Sequence, residues 1–247
     1  MPMLFYFASI AISITFIVHC IKTHRNTIWV FVLLALPFVG SAVYFFVEIF
    51  PEMRNSRATQ RAMRGLRGTF DPEGNLRRLE NEVKVTGNVH SRQRYADELV
   101  RLGRANEAVD IYKTCLTGVF ADDPNLLLGF AHAQFAAGQP AAARGTLDEL
   151  IAKNPDFKSA DGHLLYARAL EAEGDTSKAL SEYATLTDYF PGAEAGVRYA
   201  KLLKTTGDGA RAREVLQALL ERAKYAPAHY RKAQRDWLDE AESALRG

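Results

Sequence analysis

Cysteine is scarce: the 247 residues hold two, Cys20 and Cys115. They are too far apart in sequence to suggest a disulfide framework or a close metal-ligand pair, and each reads as a small buried apolar residue. The common signatures of phosphate cradling, nucleophilic hydrolysis and zinc peptidase chemistry are missing as well. There is no G-x-x-x-x-G-K-[ST], no G-x-S-x-G and no H-E-x-x-H. Carboxylates are plentiful but recur at amphipathic-helix spacing, where a solvated face is the default. Catalytic residues, metal and cofactor are therefore not expected, and the chain reads as a non-enzyme. Positive charge is also lacking where nucleic acid would need it. Residues 71–247 carry 24 Lys/Arg against 27 Asp/Glu, a net −3, whereas phosphate backbones need a clustered positive surface.

Apolar residues, by contrast, are concentrated at the N-terminus. Residues 3–21, MLFYFASIAISITFIVHCI, hold no charge unless His19 is protonated, and residues 28–47 hold none. Each run approaches the length at which a helix crosses a hydrocarbon core of about 30 Å. Only KTHRNT separates them, which suits a tight interfacial turn. The expectation is a two-helix transmembrane hairpin over residues 1–50. A signal peptide followed by a buried helix is the alternative, but no basic segment precedes Leu4 and IVHC lacks the small-residue cleavage pattern. Pro37, Gly40 and Ser41 are tolerable in a bilayer. Gly40, Ser41 and Ala42 would let the second span approach Ala8, Ala11 or Ser13 of the first. Glu48 is expected at the interface; a functional intramembrane carboxylate is the sharper reading.

Residues 51–70 form an arginine-rich juxtamembrane linker with Arg54, Arg57, Arg61, Arg64 and Arg67, while the turn has only Lys22 and Arg25. The excess of basic residues places the linker, and all that follows, on the cytoplasmic side of a bacterial inner membrane. Arginines there meet anionic headgroups, each worth about 1 kcal/mol near the surface. Four of them, Arg54 to Arg64, share one helical face, although a solvated basic linker explains them equally well.

The stretch W…LLALPFVGSAVYFF, with Trp29, Pro37, Gly40 and Tyr44, resembles the N-terminal membrane hairpin of cardiolipin synthases and related phospholipase-D-type enzymes. That resemblance implies an anchor and a phospholipid or envelope setting. The catalytic part of the family would need two copies of H-x-K-x-x-x-x-D. HYRKAQRD has His229 and Asp236 in register but Arg231 in place of the lysine, and it occurs once. The resemblance therefore carries the anchor and not the enzyme.

Beyond residue 88 the chain repeats itself. Gly103, Gly138, Gly174 and Gly207 each stand between two helical patterns, 35, 36 and 33 residues apart. Seven residues before each is an alanine (Ala96, Ala131, Ala167, Ala200), and five after it another (Ala108, Ala143, Ala179, Ala212). Nine after it is a large residue (Tyr112, Leu147, Tyr183, Leu216). Glycine permits a left-handed cap, the alanines let two antiparallel helices close up, and the large residue fills the space between successive pairs. Asp175 and Asp208 are placed to cap second helices, and Pro140 falls in a first turn. Pro155 and Pro191 end the second and third units.

This pattern is similar to the tetratricopeptide repeat, with Arg92, Leu127, His163 and Gly196 where that family has an early tryptophan. The fold class expected is all-α: the hairpin, then an α-solenoid over residues 71–247. The solenoid would hold about four helix pairs, with a leading helix in NLRRLENEVKV and one closing helix over 228–245. TGVFADD lengthens the first junction. In the closing helix, Trp237, Leu238, Ala241 and Leu245 would cover the last repeat.

The family's concave groove implies a protein or peptide partner and maps onto Gln93, Asp97, Arg101, Leu128, His132, Phe135, Leu164, Arg168, Lys201 and Lys204. Its mixed basic and apolar character suits an acidic or carboxylate-bearing segment. His132 lacks neighbours at ligand spacing and is not a metal candidate. The function expected is a membrane-tethered scaffold or adaptor. Three rivals stay open: a periplasmic-facing repeat protein similar to cytochrome c maturation factors, a non-catalytic subunit of a lipid-metabolism complex, and an enzyme that turns over phospholipid through His229.

Overall fold

A computed structural model describes residues 15, 16, 22, 28–35, 40, 41, 43 and 73–246. The chain divides into two compact units, Met1–Pro72 and Glu73–Gly247. In the first, helix α1 covers Ile28–Ala35. Leu33 on it is fully buried, whereas Phe31 and Leu34 face outward. A Cβ on Gly40 would lie 2.8 Å from the carbonyl oxygen of Val32. A continuous helix separates residues eight apart by about 12 Å, so Gly40 packs back on α1 instead of extending it. Among the described residues no helix is long and apolar enough to cross a membrane. The first predicted span apart from Thr15 and Phe16, parts of the second, and Arg54, Arg57, Arg61, Arg64 and Arg67 lie outside the described residues.

Helices are the regular secondary structure of the second unit, with no strand among its described residues. A leading helix, α2 (Gly74–Thr86), is followed by four antiparallel pairs. These are α3 (Val89–Arg101) with α4 (Ala105–Cys115), α5 (Pro124–Ala136) with α6 (Pro140–Lys153), α7 (Ala160–Glu173) with α8 (Thr176–Tyr189), and α9 (Glu194–Thr205) with α10 (Gly209–Tyr225). Two further helices close the unit, α11 (Ala228–Ala233) and α12 (Arg235–Arg246).

The local rules read from the sequence operate at each junction. Gly103, Gly138, Gly174 and Gly207 have φ of 77°, 75°, 81° and 91°, the left-handed conformation that ends one helix and turns the chain into the next. Asp175 and Asp208 accept hydrogen bonds from the backbone N–H of Lys178 and Arg211, and Pro140 occupies the first turn of α6. Asn88, Asp123 and Ser159 cap the first helices of three pairs in the same way. Each such cap contributes about 1 kcal/mol.

All eight repeat alanines are buried, as are Tyr112, Leu147, Tyr183 and Leu216. The two helices of each pair pack on each other, α4, α6 and α8 pack on the first helix of the next pair, and α3 touches α5, which touches α7. First helices thus lie side by side and line the inner face, while second helices form the outer one. The core runs along the array as three successive clusters, around Tyr112, Leu147 and Tyr183. Cys115 is buried in the first cluster, as its apolar reading requires; Cys20 lies outside the described residues.

The closing segment differs from expectation. Instead of one helix it divides at Gln234 (φ −101°, ψ 11°), whose side-chain carbonyl accepts the backbone N–H of Ala193 at 2.9 Å. That N–H sits at the start of α9, where helical partners are lacking. Trp237, Leu238, Ala241 and Leu245 do pack on the last pair.

Two glycines give contrasting tests. A Cβ at Gly138 meets no atom within 4 Å, so Gly138→Val should cost roughly 1–2 kcal/mol or more through backbone strain alone. Gly129, inside α5, lies against the Tyr112 ring, where a Cβ would stand 2.8 Å from Cε1. Gly129→Ala would ordinarily gain about 1 kcal/mol of helix propensity; here it should lower the melting temperature. Thermal unfolding followed by circular dichroism checks both.

Candidate functional site

The ten residues expected along the groove all stand on first helices. Gln93, Asp97 and Arg101 are on α3, Leu128, His132 and Phe135 on α5, Leu164 and Arg168 on α7, and Lys201 and Lys204 on α9. They are not equally available. Leu164 is only 6% exposed and belongs to the C-terminal core cluster, so it serves packing and not recognition. Leu128 is half-buried against the middle cluster. Asp97 accepts the Tyr112 hydroxyl, which crosses from α4 through the space left by Gly129.

The basic residues are largely engaged within the chain. Arg101 forks onto Glu98, with Nε at 2.9 Å and Nη2 at 2.5 Å. Arg168 lies 4.8 Å over the Phe135 ring and 3.6 Å from Glu194. Lys201 pairs with Glu240 of α12. Three residues that sequence reasoning passed over, Glu194, Arg198 and Glu171, complete this network. Glu194 also accepts Arg198 Nε at 2.7 Å. Arg198 reaches Glu171 at 3.5 Å and stands 5.5 Å over Trp237. Glu171 in turn accepts the Tyr183 hydroxyl at 2.5 Å. Glutamates at helical spacing resembled solvated faces because their partners come from neighbouring repeats and from the closing helix. The groove residues themselves gave no signal of that pairing.

The site's electrostatics follow from this arrangement. Burial, reinforced by the nearby Arg168 charge, holds the His132 imidazole below the usual histidine range, against the opposing pull of Asp161 and Asp97. Burial, together with the accepting carboxylates, pushes the Tyr112 and Tyr183 hydroxyls upward, so both stay protonated donors. The hydrogen bond from Arg101 keeps the Glu98 carboxyl below its ordinary value. The middle of the inner face is therefore close to electrically balanced. Positive charge gathers at its C-terminal end, where Lys201, Lys204, Arg213 and Arg246 line a hollow of about 240 Å3 between α9, α10 and α12.

A second cavity lies away from the inner face, between α6, α7 and α8. This cleft of about 810 Å3 is lined by Leu147, Ile151, Phe157 and Tyr166, with His163, Glu182 and Tyr189 at one side. His163 occupies the position where the repeat family has tryptophan. Its Nε2 is 2.6 Å from the Glu182 carboxylate, and Nδ1 contacts the Tyr189 hydroxyl. Among the described residues, no group of three or more His, Cys, Asp or Glu side chains could hold a metal ion.

Residues 99–169, from the end of α3 into α7, match the tetratricopeptide repeat family model. A thermophilic tetratricopeptide protein of Thermus thermophilus has a similar structure, with a TM-score of 0.57 and 18% identity over 76% of this chain and 97% of that one. The array is a tetratricopeptide-type solenoid. A crystal structure of MamA is similar over 64% of this chain and 95% of its own, with a TM-score of 0.53 and 22% identity. MamA residues 41 to the end from Desulfovibrio magneticus RS-1 give 0.55 and 17% over 68% and 94%. At these identities the likeness concerns the fold of the tetratricopeptide array. No curated protein is significantly similar in sequence.

Because the folded array binds the His132 proton less tightly than the unfolded chain does, this residue stabilises the fold fully above about pH 6.5. Its contribution is lost as pH falls through that value toward the lowered folded one. The melting temperature of the wild type should drop more between about pH 7 and pH 5 than that of His132→Gln. Equal drops would remove His132 from the balance.

Proposed function

We propose that the tetratricopeptide array is a docking scaffold that holds a segment of a partner protein along its inner face. The observation that carries this reading is the Arg168 guanidinium over the Phe135 ring, beside half-buried His132 and braced by Glu194. A cation–aromatic platform already fixed by internal contacts loses little freedom when a partner lies on it. With the central charges balanced, contact there rests on stacking and hydrogen bonds. A partner's carboxylates would be drawn to the positive C-terminal end. The absence of nucleic-acid-like charge complementarity over the array's net −3 surface favours protein over nucleic acid.

The apolar residues 1–50 would anchor this scaffold in a bacterial inner membrane, with the arginines of residues 51–70 at anionic headgroups and the array in the cytoplasm. Tethering raises the effective concentration of the array toward membrane partners without adding a contact. A setting in envelope or phospholipid biogenesis is supported by the resemblance of the N-terminal stretch alone.

Both halves are testable. A protein captured from the native cells by the full chain should be held at least about tenfold more weakly after Phe135→Ala with Arg168→Ala, while the outer-face change Glu149→Lys leaves it in place. Equal capture by all three chains would rule out the inner face. In parallel, the full chain should stay with vesicles washed in alkaline carbonate and residues 73–247 should not; release of both would end the anchoring proposal.

A further inference from the structure

The loop between the first two pairs is longer than the repeat needs. It contains one turn of 3-10 helix, Gly118–Phe120, opened by Gly118 at φ 59°. Its form is fixed by backbone bonds: Phe120 N–H donates to Thr117 at 3.2 Å, Ala121 to Gly118 at 3.3 Å and Asp123 to Phe120 at 3.2 Å. This rigid turn holds Val119 93% exposed and Phe120 41% exposed. Asp122 follows, its side chain 55% exposed and 3.7 Å from an equally open Lys153, a pair worth little in water. Two apolar side chains are thus held outward with a carboxylate beside them.

The hollow at the other end of the array has the complementary make-up. Its floor is apolar, formed by Val197, Ala200, Leu216 and Leu245, and its rim carries Lys201, Lys204, Arg213 and Arg246 with no lining carboxylate. The acidic groups nearby are partly spoken for. Glu240 takes Lys201, Asp208 accepts the backbone N–H of Arg211 at 3.1 Å, and Glu242 is 3.9 Å from Arg246 with both side chains mostly exposed. Lys204 and Arg213 have no ion-pair partner among the described residues.

We propose that the chain associates with itself head to tail, the Val119–Phe120–Asp122 loop of one copy seating in the α9–α10–α12 hollow of the next. A second copy is the occupant that the surfaces favour. The apolar-and-acidic knob and the apolar-floored basic socket lie on the same chain, and the second and third helix pairs keep them apart within one copy. Two unlike surfaces meeting this way form a heterologous contact, which propagates as an open chain or closes as a ring. The socket shares Lys201 and Lys204 with the positive C-terminal end of the inner face, whereas the Phe135–Arg168 platform lies outside it.

Sedimentation of the purified full chain in detergent over a range of concentrations tests it. The wild type should form species that grow beyond the dimer with concentration. Phe120→Lys, on the knob, and Lys204→Glu with Arg213→Glu, on the socket, should each weaken association about tenfold or more, with helical content unchanged. Mixing the two defective chains should give a one-to-one dimer and nothing larger, since the mixture retains one sound knob and one sound socket. Placing Asp122→Lys in the same chain as the two socket changes should restore part of the association. A wild type that stays monomeric overturns the proposal, including where its socket takes an acidic peptide from another protein. So does association that both variants leave intact, because it would then run through another surface, or a mixture that forms no dimer.

Discussion

A single helix pair in this array cannot bury its own apolar stripe, and the rest of the structure depends on how that shortage is met. Each pair must lend one face to the pair before it and one to the pair after. The alanines around each left-handed glycine keep the two helices of a pair close. Tyr112, Leu147, Tyr183 and Leu216 then fill the gaps as pairs stack. The closing helix follows from the same constraint. The last pair would otherwise face water, and Trp237, Leu238, Ala241 and Leu245 cover it.

Stacking also decides what the inner face can present. The side-by-side packing of first helices brings Phe135, Arg168, Glu194, Arg198 and Trp237, from four different helices, into one line of contacts. Half-buried pairs of this kind hold side chains in place more than they add stability. The inner face is therefore a rigid, nearly neutral strip. Free positive charge remains at the C-terminal end of the described array, where Lys204 and Arg213 line the hollow between α9, α10 and α12. The knob between the first two pairs is the converse case, an insertion with no neighbour to cover Val119 and Phe120.

Much of the architecture was legible because it rests on short-range rules. A glycine that must adopt positive φ, an aspartate that caps the next helix and a small residue at each close approach all leave marks within about ten residues. Gly138, Asp175 and Ala143 could be read in that way. The same reading failed where a long-range contact overrides the local pattern. Nothing near Gln234 announces that its side-chain carbonyl meets the backbone of Ala193, 41 residues away. Leu164 fits a groove position by its spacing, yet the neighbouring pair buries it.

By itself, then, the amino-acid order determined the number of helix pairs, their boundaries and the apolar surfaces that must meet, since each depends on backbone conformation and periodicity within one repeat. Only the tertiary structure decided which charges remain free. Whether an arginine is available depends on carboxylates about one repeat away, and their distance from it is set by stacking and not by spacing along the chain.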